Sequence, residues 1–341
     1  VASLNIFESD AFSTASLLAA IENLPYKPQF IGSLDLFDDD PQRLRDVMVE
    51  SRDNELNLIP ITPVGAPLPQ LDPDIRGMRI FRTPRIAKGS TLYAETLQGI
   101  RAFGSETELA QVQVEVARRL ARLQGDVELT WEHMRLGALQ GYLLDADGSI
   151  VYNYFTAFDI AVPTPVVIDF ANLNSGELRA LIEGSIIRPM VRGSKGAITI
   201  GARIVALVGD AFWDAMMQNA EIRQSYLNYS AAADLRGATL YKPFQFAGVE
   251  WVNYRGTDDN STVAIATDEA KFFPVGAQGV FKVAWGPGEF MDTVNQPGVP
   301  LRPLTLPDPT GREAYVIVEV YSYPLFICTK PQVLRTAQLP T

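Results

Sequence analysis

The sequence predicts an α+β chain organised around one very long helix, and three observations predict it. Between residue 106 and about residue 144, apolar side chains recur at Leu109, Val112, Val116, Leu120, Leu123, Val127, Trp131 and Met134, in steps of three and four. Ahead of that stretch, two alternating segments flank a tip containing Pro60, Pro63, Pro67, Pro69 and Pro73, the pattern of a hairpin with an irregular end. Behind it, strand and helix signals alternate from about 163 to 309, and a β-branched, aromatic run closes the chain at 314–321.

Residues 1–46 read as an arm. Its one helical candidate, 11–23, has Ser13 or Thr14 as cap and Leu17, Leu18 and Ile21 on one face, with Pro25, Pro28 and Gly32 breaking the pattern beyond it. The triplet Asp38-Asp39-Asp40 reads as a solvated turn or a helix cap. Residues 47–103 form the hairpin and its connection: Leu56 and Leu58 alternate with Glu55 and Asn57 going out, and Met78 and Ile80 with Arg79 and Phe81 coming back. Proline fixes φ and removes N–H donors, so the tip must be an extended loop. A two-stranded ribbon is marginal alone in water and needs a partner surface.

Residues 104–162 hold the long helix, capped by Ser105 and spanning roughly 55 Å at 1.5 Å per residue, with Gly125 as a bend point. Its charged face carries Glu115, Arg118, Arg119, Arg122, Asp126 and Glu132. A hairpin follows at 143–152, turning at Asp147-Gly148. In 163–309, Asn174 and Glu177 suggest a capping box opening a helix to about Met190, 204–208 is a short buried strand, and Asp210 caps a helix to about Asn219. Strands are expected at 244–254 and 262–266. Residues 310–341 contain the closing strand, which returns to the sheet beside the long helix.

The chain has 341 residues, is 47% hydrophobic and carries a formal charge of −11, ample for packed cores and the wrong sign for a general nucleic-acid binder. The first 24 residues lack the basic start of a signal peptide, and no apolar run reaches the ~20 residues that cross a membrane. The single cysteine, Cys328, reads as a buried hydrophobe, and the single histidine, His133, as an ordinary helix residue rather than the base of a triad. The segment from Asp145 resembles the start of a calcium loop but has Ile150 at position six and Thr156 at position twelve, so it reads as a turn. Gly193-Ser194-Lys195-Gly196 lacks phosphate-loop spacing and reads as a flexible loop. Tyr152, Tyr154, Phe155, Trp251, Tyr254 and Trp285 read as core. No catalytic, cofactor-binding or metal-binding residue is assigned, and no cofactor is expected.

The order of parts, from arm through hairpin, spine-length helix, second hairpin and α/β region to returning strand, resembles the tailed-phage major capsid fold of the Hong Kong 97 type. In detail it resembles the lambda-like major capsid protein E family. The segments that carry the likeness are 106–144, Arg203 to Asp210 followed by Ala211-Phe212-Trp213, Gly248 to Tyr254, and Glu313 to Gln332. The resemblance implies an N-terminal arm at 1–46, an E-loop at 47–103, a P domain at 104–162 completed by 310–341, and an A domain at 163–309. It implies no enzyme but a virion subunit, made in the host cytoplasm, that forms pentamers and hexamers and closes into an icosahedral shell around double-stranded DNA. Its partners would be itself, a scaffolding protein, a portal and a decoration protein, with weak non-specific DNA contact and no membrane. Gly89, Gly99 and Gly104 are candidate joints, and no lysine–asparagine cross-linking pair is assigned. Two competing readings are an encapsulin-like cellular compartment shell and an acidic α/β enzyme using Asp210, Asp258 and Asp259.

Overall fold

The computed structural model describes residues 30–52, 76–95, 108–173, 176–199, 201–225, 243–254, 263–312 and 314–340. The helix expected at 11–23, the outgoing positions Leu56 and Leu58, the proline-rich tip and the cap Ser105 lie outside those residues. The described chain begins with one helical turn, α1 (Phe30–Ser33), which buries Ile31 completely. Strand β1 (Asp38–Pro41) corrects the reading of the acidic triplet, for Asp38, Asp39 and Asp40 run parallel to Lys282, Val283 and Ala284 of β12 (Phe281–Trp285). Asp38 and Asp39 are exposed, as a solvated reading has it, yet they also bond: Asp39 accepts from the Trp285 indole N–H at 2.8 Å, and Asp38 from the Gly279 N–H at 3.3 Å. An edge strand tolerates such residues, and their charge deters further pairing.

Strands β2 (Asp46–Arg52) and β3 (Arg76–Arg82) form the described part of the hairpin, with Val47 opposite Phe81 and Met48 opposite Ile80. Strand β4 (Ile86–Tyr93) does not continue that ribbon. It pairs along its length with the closing strand β14 (Tyr315–Ser322), whose other edge takes β13 (Arg302–Pro307). Gly89 is therefore a strand position opposite Glu319 rather than a joint, and Gly99 and Gly104 lie outside the described residues.

Helix α2 (Glu108–Leu139) has 32 residues and spans about 48 Å at 1.5 Å per residue. It passes unbroken through Gly125 and stops five residues earlier than expected. Gly141, at φ +87, ends it: a Cβ there would stand 2.2 Å from the Phe155 ring. The apolar stripe is buried as the periodicity requires, with Val116, Leu120, Leu123 and Val127 packed against Leu92, Val318 and Val320. Further along, Met134, Leu136 and Leu139 enter a larger core with Phe81, Tyr154 and Phe326. Arg118 and Arg122 are exposed as expected, but Glu132 is only 3% exposed, a correction taken up below. The second hairpin pairs β5 (Tyr142–Leu144) with β6 (Ile150–Asn153), and Gly148 supplies the positive φ, +82. Asn153 then caps the single-turn helix α3 (Tyr154–Ala157).

A six-stranded sheet in the order β7-β16-β11-β8-β10-β9 dominates the later chain. It comprises β7 (Val166–Val167), β8 (Arg203–Val208), β9 (Phe244–Phe246), β10 (Val249–Asn253), β11 (Glu269–Val275) and β16 (Arg335–Gln338). Four expectations change here. The stretch 244–254 is two strands, because Ala247 and Gly248, at φ +52 and +76, fold it into a hairpin. Residues 263–266 are not a strand; the pairing falls on β11 instead. Helix α4 (Glu177–Leu181) starts from Gly176, whose N–H is taken by Glu221 at 2.9 Å, while Asn174 lies outside the described residues. It continues through a π-helical segment (Ile182–Ile187) into α5 (Arg188–Gly193). In α6 (Asp210–Gln218) the capping position belongs to Gly209, where a Cβ would meet the Ala266 carbonyl at 2.3 Å. Leu178, Ile182, Phe212 and Met216 from these helices close on Trp251 and Phe272 of the sheet. The chain's end joins this sheet through β16, beyond the closing strand expected beside the helix.

Leu120→Asp should abolish folding, since it places an unpaired carboxylate in the seam under α2 at a cost of several kcal/mol, out of a net stability of about 5–15 kcal/mol. Arg122→Ala, on the exposed face, should be neutral; circular dichroism melts of the two variants check the assignment of faces.

Candidate interaction surface

The hairpin has two apolar faces, and only one is covered. Val47 and Phe81 point inward, where the Phe81 ring meets Tyr152, Tyr154 and Phe158 at centroid distances of 5.4, 5.9 and 5.9 Å. The Tyr152 hydroxyl accepts from the Arg82 N–H at 3.0 Å and donates to the Arg82 carbonyl at 3.2 Å, doing for the edge of β3 what a neighbouring strand would do. Arg79 pairs with Asp159 at 2.6 Å. On the other face, by the two-residue alternation of a strand, Met48, Met78 and Ile80 remain 57, 60 and 63% exposed. Clustered exposed apolar side chains on one rigid face mark a surface that meets something else.

The sheet of β13, β14 and β4 repeats this division. Leu92, Val318 and Val320 face α2, while Tyr93 and Leu306 on the other side are exposed and the Tyr93 and Tyr315 rings meet at 6.1 Å. Both surfaces belong to strands whose inner faces are locked, so their outer faces are presented with little conformational freedom.

The residues singled out for chemistry are mostly structural. Cys328 is wholly buried in β15 (Pro324–Cys328), and burial pushes its thiol up to about 12. His133 places Nε2 2.9 Å from the Asp145 carbonyl, a donor's position, and so ties the turn of the second hairpin to α2. The supposed flexible loop at 193–196 is ordered: Ser194 is fully buried, its carbonyl accepts from Lys330 at 3.0 Å, and a Cβ on Gly193 would lie 2.7 Å from the Gln332 carbonyl. Asp210 is the partly buried first residue of α6, and Asp258 and Asp259 lie outside the described residues. A groove of about 830 Å³ beside Phe170, Leu173 and Leu339 contains Asp169 and Glu221. Asn172 holds the Asp169 carboxyl below its ordinary range, the opposite of what a general acid needs. Among the described residues no group of three or more His, Cys, Asp or Glu could hold a metal ion, and no helix is long and apolar enough to cross a membrane.

Sequence reasoning missed Glu132. Its carboxylate accepts from the N–H groups of Ile31 at 2.8 Å and Gly32 at 3.1 Å, and from the Tyr254 hydroxyl at 3.4 Å, with Arg135 at 3.6 Å. One side chain thereby joins α1, α2 and the segment after β10. Burial raises its pKa from the ordinary 4.5, opposed by the Ile31 N–H and Arg135, and raises that of Tyr254. A signal was present: Leu136-Gly137-Ala138-Leu139 carries no charge, and a helix end that is apolar all round is a buried one.

Comparison with known proteins agrees on one kinship. The family model described as phage major capsid protein E matches residues 13–339. The major capsid protein of Salmonella phage Felix O1 is 24% identical over 358 residues, covering 96% of each chain. Among solved structures, a prophage protein of E. coli CFT073 described as a capsid protein superposes with a TM-score of 0.59 at 14% identity, covering 96% of this chain and 99% of that one. The capsid of cyanophage P-SCSP1u gives 0.53 at 9% identity, covering 94% and 90%. These two likenesses concern the fold.

The Glu132 contacts make a separate prediction. Glu132→Ala leaves the buried Ile31 N–H and the partly buried Gly32 N–H without their acceptor and should cost about 1–3 kcal/mol, with lost hydrogen-exchange protection at Ile31 and Gly32. Because the folded pKa is raised, the carboxyl's contribution is fully present below its unfolded pKa and is lost as pH rises through the folded one. Wild type should therefore gain stability relative to Glu132→Gln as pH falls from neutral toward 4.5, which paired denaturant melts would measure.

Proposed function

This chain belongs to the phage major capsid protein E family, and we propose that it closes an icosahedral shell by burying the outer faces of its hairpin and its β4–β14–β13 sheet on neighbouring copies. The observation that carries the reading is the exposed row Met48, Met78 and Ile80 on a ribbon whose other face is already locked. Burying each such side chain is worth about 1.5–3 kcal/mol, and the gain repeats at every copy of a lattice. Obligate interfaces of this kind often exceed ~2,000 Å². The fold, of the Hong Kong 97 type, supplies the rest: a helix-backed sheet and the β2–β3 ribbon beside it.

In this reading residues 1–46 serve as the arm, 47–103 as the E-loop and its connection, 104–162 with 310–341 as the P domain and 163–309 as the A domain. Pentamers and hexamers are the working units, assembled in the host cytoplasm with a scaffolding protein and a portal and joined in the virion by a decoration protein. The role is structural and calls for no catalytic centre. With a charge of −11 the wall repels packaged double-stranded DNA, so contact with the genome is weak and non-specific. Kinship with phage capsid proteins favours a viral shell over a cellular compartment.

Met48→Lys with Ile80→Lys should melt like wild type yet fail to close shells in negative-stain images; normal shells would remove the hairpin face from the interface. Deleting 63–73, outside the described residues, should likewise leave a folded subunit that assembles poorly. Wild type that stays a compact monomer with its scaffold partner would overturn the assembly reading altogether.

A further inference from the structure

We infer that the loop from Gly286 to Gly298 is a clamp that fixes the direction in which the β2–β3 hairpin leaves the body, and that the contact between Gly286 and Thr83 sets it. The inference deepens the assembly reading and rests on it.

Both legs of the hairpin pass through one node. On the entering leg, the Gln42 N–H donates to the Trp285 carbonyl and the Gln42 carbonyl accepts from the Gly298 N–H, both at 2.8 Å. On the leaving leg, the Thr83 N–H donates to the Arg45 carbonyl at 2.9 Å and its hydroxyl to the same oxygen at 3.3 Å, which ties the legs together. The Gly286 N–H donates to the Tyr323 carbonyl at 2.8 Å, adding the junction after β14. Thr83 is 2% exposed.

The glycines are required for closeness rather than for backbone freedom, since neither has a positive φ. A Cβ on Gly286 would stand 2.4 Å from the Thr83 Oγ1 and 3.0 Å from its Cβ; one on Gly298 would stand 2.1 Å from the Trp285 carbonyl. Charged groups brace the node on the flanks. Arg45 lies over the Tyr323 ring at 5.0 Å, Arg85 lies over Tyr321 at 5.2 Å, and Arg85 pairs with Glu289 at 2.9 Å. From β13, Arg302 reaches back to the loop, stacking on Phe290 at 5.1 Å and pairing with Asp292.

Leverage makes this root consequential. Strands lie about 4.8 Å apart and seven residues extend about 23 Å, so shifting one leg by about 1 Å tilts the ribbon by about 12° and moves its far end by about 5 Å. That displacement is larger than a packed side-chain contact tolerates. Subunits with a loosened or shifted root should fold and still misplace the outer row of Met48, Met78 and Ile80.

Two single variants and their combination test the clamp. Gly286→Ala forces Thr83 away, whereas Thr83→Gly removes the same contact without a clash and so remains informative if the alanine variant does not fold. Each should keep the wild-type circular dichroism spectrum, lose about tenfold in amide protection around residues 45–47 and 81–83, and give open or mis-sized particles in negative stain. The double variant returns the missing atoms to the gap and should recover closed particles, a coupling that independent effects would not produce. Normal particles from Thr83→Gly, or a double variant no better than its parents, would overturn the clamp. If wild type itself forms no shells, the assembly reading fails, while the exchange at 81–83 still tells whether Gly286 holds the root.

Discussion

The β4–β14–β13 sheet depends on a buried seam: Val116, Leu120, Leu123 and Val127 of α2 against Leu92 of β4 and Val318 and Val320 of β14. A lone helix of 32 residues gains most of its stability from the face it buries, and here the covering strands come from before it and from some two hundred residues after it. The seam also organises the outside. Because side chains alternate along a strand, fixing Val318 and Val320 on the helix obliges Ile317 and Glu319 to face away, and β4 follows through its pairing. Core and display surface are thus two readings of the same residues.

The sequence made legible those parts whose cause is local. The stripe from Val116 to Met134 dictates a helix whatever surrounds it, Asp147-Gly148 dictates a turn, and the run Ile204 to Val208 can only be a buried strand. What stayed hidden was decided by distant partners. Asp38-Asp39-Asp40 is a poor strand by composition and becomes one because β12 offers a free edge and the Trp285 indole offers a donor. Glu132 belongs to the charged face by spacing but lies buried because α1 brings two N–H groups to it from a hundred residues away. Gly286 looks like any loop glycine until Thr83 is placed against it. The candidate surface was half visible: alternation around Met78 and Ile80 marked a ribbon, and the structure alone assigned which face is spent on Phe81 and which is left over.

Several polar groups among the described residues hold distant segments in position. Glu132 holds the leading turn, Tyr152 finishes the edge of β3, His133 steadies a turn, and Lys330 closes the end of α5. Each group bonds backbone belonging to another segment, which is how a chain with long connections keeps its parts in register.

The closing stretch 315–338 has one more implication. Its three strands go to three different sheets, β14 beside the long helix, β15 against β12, and β16 between β7 and β11. Synthesis runs from the N-terminus, so a ribosome that stalls short of residue 315 releases a polypeptide with raw edges in all three places at once. A single cut within 315–338 would therefore loosen all three sheets together, which makes this stretch the tie between otherwise separate parts of the fold.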